Sequence, residues 1–203
     1  MFLVLSLLVA CGGSTAPSRI EIPTFGGTGS GALSTSELLS LQQPLAELSS
    51  ANGQLNEVLP TTPMATYDGV ILAQLDTDVV VAGNFNMVAD FVNSNLSGTA
   101  SDFASFDTKL NGRGRLETLS GTLPITGGSV NGGGAISGAK MAASLAGNLS
   151  GALGTYQVSV GVTNGTFLDN GGTSIVYGGI VGQVINPDTT TSLVNNGDFL
   201  GTN

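Results

Sequence analysis

The chain has 203 residues, room for one domain with its own core and a small appendage, and only 9 % of them are charged, against about 25 % in ordinary globular proteins. Fourteen Asp and Glu face five Lys and Arg; the net charge of −9 excludes nucleic acid and disfavours electrostatic docking on anionic lipid. There is one Cys and no His, which removes Ser-His-Asp and Cys-His catalysis, His-ligated zinc or haem, an internal disulfide and thiolate-rich metal clusters, so neither an enzyme nor a cofactor is expected.

The first element is "MFLVLSLLVA", too short to span a bilayer but fitting the apolar region of a secretory signal. Leu8, Val9 and Ala10 precede Cys11, and this stretch resembles a bacterial lipobox. The resemblance implies a lipoprotein signal peptide over residues 1–10, cleavage before Cys11, and Cys11 as the lipid acceptor. No Lys or Arg precedes the apolar run, and the competing reading is an N-terminal strand with a buried thiol. Gly12 stands where an inner-membrane retention signal would have Asp, which points to the outer membrane, at the cell surface or on its periplasmic face.

Residues 11–33 are rich in Gly, Ser and Thr and read as a flexible tether. The run "GGTGSGA" echoes a phosphate loop, but no strand precedes it and no Lys-Ser/Thr pair follows. Residues 34–63 read as a helical segment. Ser34 and Glu37 have capping-box spacing, Leu38, Leu41, Leu45 and Leu48 recur at helical intervals, and Pro44 should break the run. The leucine stripe is expected to pack on the neighbouring domain.

From residue 64 to 203 the period changes to two. Phe85, Met87, Ala89 and Phe91 share one face; Tyr156, Val158, Val160 and Val162 share another; Met141, Ala143, Leu145 and Leu149 a third. Turn chemistry in "VNSN", "NGRG", "TNG", "DNGG" and "INPD" separates eight or nine such strands. An antiparallel sandwich or barrel follows, and barrel closure would remove edges that so weakly charged a sheet could not protect. Glycines within strands, among them Gly121, Gly147, Gly161, Gly179 and Gly182, mark bends or close approaches.

The stretches "VADFVNSNLSGTASDF" and "YQVSVGVTNGTFLDNGGTSIVYGGIVGQV" resemble strand–turn–strand units of the transferrin-binding protein B-like barrels, a group that includes the factor H-binding proteins. The resemblance runs from about Tyr67 to the C-terminus. It implies an eight-stranded antiparallel β-barrel held off the outer membrane by a lipidated tether and acting as a binding module. Transferrin binding itself is not carried over, because the contacting loops have no counterpart here.

Other candidates are weaker. Asp76 and Asp78 could offer oxygens to calcium but read as a turn, as does Asp169–Gly171. Arg113 and Arg115 could meet an acidic partner, against the alternative of a solvated loop. Tyr67, Tyr156 and Tyr177 could ligate haem but fit core positions. The expected function is that of a monomeric, non-enzymatic surface lipoprotein, attached to the membrane through Cys11 and binding an unknown protein or small ligand, in metal or haem acquisition or on a host protein. The alternative is a structural or adhesive envelope protein.

Overall fold

The computed structural model describes residues 19–50, 55–75, 78–107, 114–132 and 139–203. The expected signal peptide, Cys11, Asp76 and Arg113 lie outside these residues.

Two short helices come first, α1 (Thr35–Ser40) and α2 (Gln42–Ser50). Ser34 caps α1: its Oγ accepts from the Glu37 N–H at 3.3 Å, and the Glu37 carboxylate accepts from the Ser34 N–H at 2.7 Å. These bonds hold the Glu37 carboxyl below its ordinary pKa. The helical run breaks at Leu41, ahead of Pro44. The proline then sits in the first turn of α2, where its missing N–H would have had no intrahelical partner.

A two-residue strand, β1 (Asn56–Glu57), leads into β2 (Met64–Leu75), β3 (Val79–Asp90), β4 (Asn95–Asp107), β5 (Arg115–Leu119), β6 (Leu123–Gly132), β7 (Ala139–Gly151), β8 (Gly154–Asn170), β9 (Thr173–Ile185) and β10 (Thr191–Thr202). Each strand from β2 to β10 pairs antiparallel with its sequence neighbours, and β10 pairs with β2, from Val194↔Leu75 to Thr202↔Asp68. The exceptions are β5 and β6, which together form one stave. Leu119 opposes Phe103 and Leu123 opposes Ala100 on the same partner, β4. The result is a closed, up-and-down, eight-staved barrel, as the sequence pattern and the family resemblance led us to expect.

The broken stave has a local cause. Between β5 and β6 the chain turns aside to bridge Ser120 to Ser150 of β7, with reciprocal backbone bonds of 2.7 and 2.8 Å. Gly121 has φ +128°, and a Cβ there would stand 2.6 Å from the Asn148 carbonyl oxygen, so only glycine fits the corner.

The period-two stripes point inward. Tyr67, Ile71, Phe85, Met87, Leu145, Val160 and Phe199 belong to one buried cluster inside the barrel. Several strands are apolar on their outer face as well. Val70, Ala82, Phe106, Ile175 and Leu200 form a second cluster with Leu38, Leu41 and Leu48 of the helices and with Ile20 and Leu33 ahead of them. The leucine stripe therefore packs on the barrel wall, as its spacing suggested.

The part of the expected tether that falls within the described residues, 19–33, is laid along the barrel as a strap. Its few apolar residues, Ile20, Ile22 and Phe25, pack on the outer cluster. Polar side chains of the barrel, Asn170 and Asn84 buried and Asp102 half-buried, hold the backbone between them. Asn170 accepts from the Ile20 N–H at 2.9 Å and donates to the Ile20 carbonyl at 2.8 Å. Asn84 donates to Ser30 Oγ and to the Gly31 carbonyl, and Asp102 accepts from the Gly29 N–H. The glycine run is thus a docking segment for barrel side chains.

Candidate functional site

The two ends of the barrel are built differently. At the end reached by Tyr67, Phe91 and Phe167, three rings pack together, with centroids 5.5 Å (Tyr67–Phe167) and 5.2 Å (Phe91–Phe167) apart. The Tyr67 hydroxyl is satisfied by Ser174 at 2.8 Å, and burial raises its pKa. Lys140 pairs with Glu57, tying β7 to the short β1. Further along the axis Phe85 meets Phe199 edge to face at 6.1 Å. Aromatic rings fill this half of the interior.

The other half holds a cavity of about 860 Å³ at the end of the barrel where β2, β4, β7 and β9 finish and β3, β5, β8 and β10 begin. All eight staves contribute to it. Its wall is aliphatic, with Ile71, Leu75, Val81, Leu123, Val160 and Ile180 among the contributing side chains, and Phe103 is its one phenylalanine. Phe103 lies flat against Gly83, where a Cβ would collide with the ring. At the lip Leu153 is 78 % exposed and Leu116 54 % exposed, so the apolar lining runs out to solvent. Large exposed apolar side chains at the rim of an apolar cleft are a signature of small-molecule sites, and the volume lies within the roughly 300–1,000 Å³ usual for them.

Polar groups in the lining are few and are held in place. The Tyr156 hydroxyl donates to Glu117 Oε1 at 2.8 Å, and Glu117 Oε2 accepts the Ala152 N–H at 2.7 Å. Burial first, then the hydrogen bond and charge of Glu117 and the charge of Asp188, push the Tyr156 pKa up to about 12. The phenol therefore stays protonated throughout the physiological range. The β9–β10 turn is rigid: Asn186 Nδ2 donates to Thr190 and Ser192, and Asp188 accepts from the Thr190 N–H and hydroxyl. Those bonds hold the Asp188 carboxyl below its usual pKa. Among the described residues the lining contains Glu117, Asp188 and Tyr156 as ionisable groups, and no Lys or Arg.

Of the three tyrosines, only Tyr156 lines the cavity. Tyr67 belongs to the aromatic plug, and Tyr177 faces outward beneath α2, donating to Asp198 at 3.3 Å. Arg115 does not line the cavity; it is exposed and donates to Thr118 Oγ1 at 2.9 Å. Asp169 and Asn170, read as part of a turn, are the last paired residues of β8, and Gly171–Gly172 make the β8–β9 turn beside them, with Asp169 Oδ1 accepting the Gly172 N–H at 2.7 Å. Sequence reasoning missed Glu117 as a rim residue, because it lies 39 positions from Tyr156 and forms no motif with it. Among the described residues no group of three or more potential metal-ligating side chains is present, and no helix is long and apolar enough to cross a membrane.

The barrel and its one-ended apolar cavity define the class: a closed, eight-stranded β-barrel with a calyx. Compared with family models, curated proteins and solved structures, the chain matches none.

Proposed function

We propose that this protein is a non-enzymatic, lipid-anchored binding protein of the bacterial outer membrane, of the transferrin-binding protein B-like barrel lipoprotein kind, whose barrel cavity takes a small apolar ligand. The observation that carries the binding role is the aliphatic cavity of about 860 Å³, open at one end and closed by aromatic rings at the other. A barrel evolved solely as scaffold or adhesin would gain stability by filling that half with side chains, since voids in a core cost free energy in proportion to their volume. The anchoring role rests on the Leu8–Cys11 stretch.

The test is binding of an apolar fluorescent probe, N-phenyl-1-naphthylamine, to the purified full chain, with an Ala73→Trp variant in parallel. Ala73 lines the cavity, and an indole there would occupy it. Saturable binding that the variant loses while keeping its far-UV circular dichroism supports the reading. Equal binding by both chains would sink it. Labelling of cells with a palmitate analogue, lost on Cys11→Ser, tests the anchor separately.

A further inference from the structure

The hydrogen bonds at the cavity mouth leave an unequal inventory. The side-chain donors of Tyr156, Asn186 and Thr190 are already committed inside the protein. The Tyr156 hydroxyl gives its proton to Glu117, and Asn186 gives its amide protons to Thr190 and Ser192. What remains unspent is acceptor capacity. Glu117 receives one donor on each carboxylate oxygen and has lone pairs to spare. The Tyr156 oxygen, acting as donor toward Glu117, keeps its own lone pairs. Asp188 adds a second carboxylate on the neighbouring β9–β10 turn. Ser105, whose hydroxyl can act either way, lies deeper in the wall.

From this geometry we infer that the cavity selects amphiphiles whose head group is a hydrogen-bond donor, a long-chain alcohol or ammonium, and rejects fatty-acid anions. The inference rests on the proposed ligand-binding role of the cavity. The apolar body of such a ligand lies along Ile71, Val160 and Ile180, and its head reaches Glu117 and Tyr156 at the mouth. An O–H or N–H there completes the acceptors that the protein leaves open. A carboxylate head would meet two carboxylates at the edge of an apolar wall, and among the described lining residues no Lys or Arg offsets the like-charge repulsion. Lys109 and Arg113 belong to the β4–β5 connection, outside the described residues, and the experiment reads their contribution directly.

The full chain, purified free of detergent, is loaded with N-phenyl-1-naphthylamine at pH 7.4 and titrated with dodecanol, dodecylamine or dodecanoate, three ligands of equal chain length. Dodecanol and dodecylammonium are expected to displace the probe at concentrations at least tenfold below dodecanoate. Glu117→Gln should shrink the preference for ammonium over carboxylate several-fold while altering dodecanol displacement less. Asp188→Asn, on an exposed turn and therefore safe for folding, should shrink it in the same direction. Dodecanoate displacing as well as dodecanol would overturn the inference. So would dodecanoate binding that disappears in a Lys109→Ala/Arg113→Ala double variant, because cations of the connection would then set the head group. A chain that never binds the probe overturns the ligand-binding role itself, whereas probe binding with anion preference overturns only the selectivity.

Discussion

Glu117 and Tyr156 meet across the barrel mouth, phenol to carboxylate at 2.8 Å, while the second oxygen of the same carboxylate holds the Ala152 N–H at 2.7 Å. One side chain of the broken stave thereby fastens both the β7–β8 turn and the start of β8. Glu117→Ala removes both bonds. Bonds to a charged acceptor contribute roughly 1.5–3 kcal/mol each when buried, and solvent at the rim reduces this, so we expect a loss of about 1 kcal/mol. Urea denaturation measures it. The Tyr156 pKa should fall in the same variant, read from tyrosinate absorbance near 295 nm.

The tyrosines also fix the alkaline limit of the fold. Tyr156 and Tyr177 are both pushed to about 12, burial leading in each case, and Tyr67 is raised by burial as well. Unfolded tyrosine ionises near 10. The folded state therefore holds protons that the unfolded chain gives up. The stabilising contribution is fully present below about pH 10 and is lost as pH rises toward 12. Thermal melts should show a flat Tm up to about pH 9.5 and a steep decline above it. The slope should correspond to on the order of two to three protons released on unfolding.

Asp198 offers the opposite sign. Burial beneath α2 raises its pKa, with only partial relief from the Tyr177 hydrogen bond. At neutral pH the native state thus keeps an ionised carboxylate where charge is disfavoured. As pH falls through the raised pKa, the native state takes up a proton before the unfolded state does, and the penalty is relieved. Asp198→Asn should therefore raise Tm at pH 7, with the gain fading as pH approaches 3. Its amide oxygen can still accept from Tyr177, and removal of the negative charge should lower the Tyr177 pKa from about 12.

Phe167 sits between Tyr67 and Phe91 at the closed end. Its truncation to Ala should cost about 3–5 kcal/mol, the usual range for a buried aromatic ring. Because the plug and the mouth occupy opposite ends, probe affinity per folded molecule should hardly change. Denaturation curves and probe titration on the same sample separate the two effects.

Asn170 is the buried link that holds Ile20 to the barrel. Asn170→Ala leaves the Ile20 N–H and carbonyl without partners, at a cost of about 1–3 kcal/mol concentrated on the strap. Hydrogen exchange should quicken over residues 19–33 while the barrel strands keep their protection. Uniform loss of protection would mean instead that strap and barrel open as one unit.

Much of this architecture was legible from periodicity. The stripes of Phe85–Phe91, Met141–Leu149 and Tyr156–Val162 face inward as their spacing of two required, and Ser34 and Glu37 form the capping box. The strap was not legible, because Ile20, Ile22 and Phe25 are scattered among glycines and serines and meet their partners only after strands far along the chain have paired. The cavity was hidden for another reason. Val158, Val160 and Ile180 look the same in a sequence whether they touch other side chains or open space. A faint signal existed: Phe85, Phe167 and Phe199 fall in the later halves of β3, β8 and β10, with Phe91 just past the end of β3, and the other halves of these strands carry mostly smaller aliphatic residues. Nothing local linked Glu117 to Tyr156.

The pairing of β10 with β2 has a consequence for how the chain comes together. Seven of the eight seams join staves that follow one another along the chain and can zip as hairpins or across a short turn. The eighth joins Asp68–Leu75 to Val194–Thr202, over a hundred residues apart. Until that seam shuts, the meander is an open sheet with two bare edges, and β2 waits for a partner supplied only by the last strand of the barrel. Contacts of such long range slow folding and leave the intermediate prone to edge-to-edge association. A protein made this way benefits from being kept unfolded until its final strand has arrived, and loss of even part of β10 should leave a sheet that finds its missing edge in another molecule.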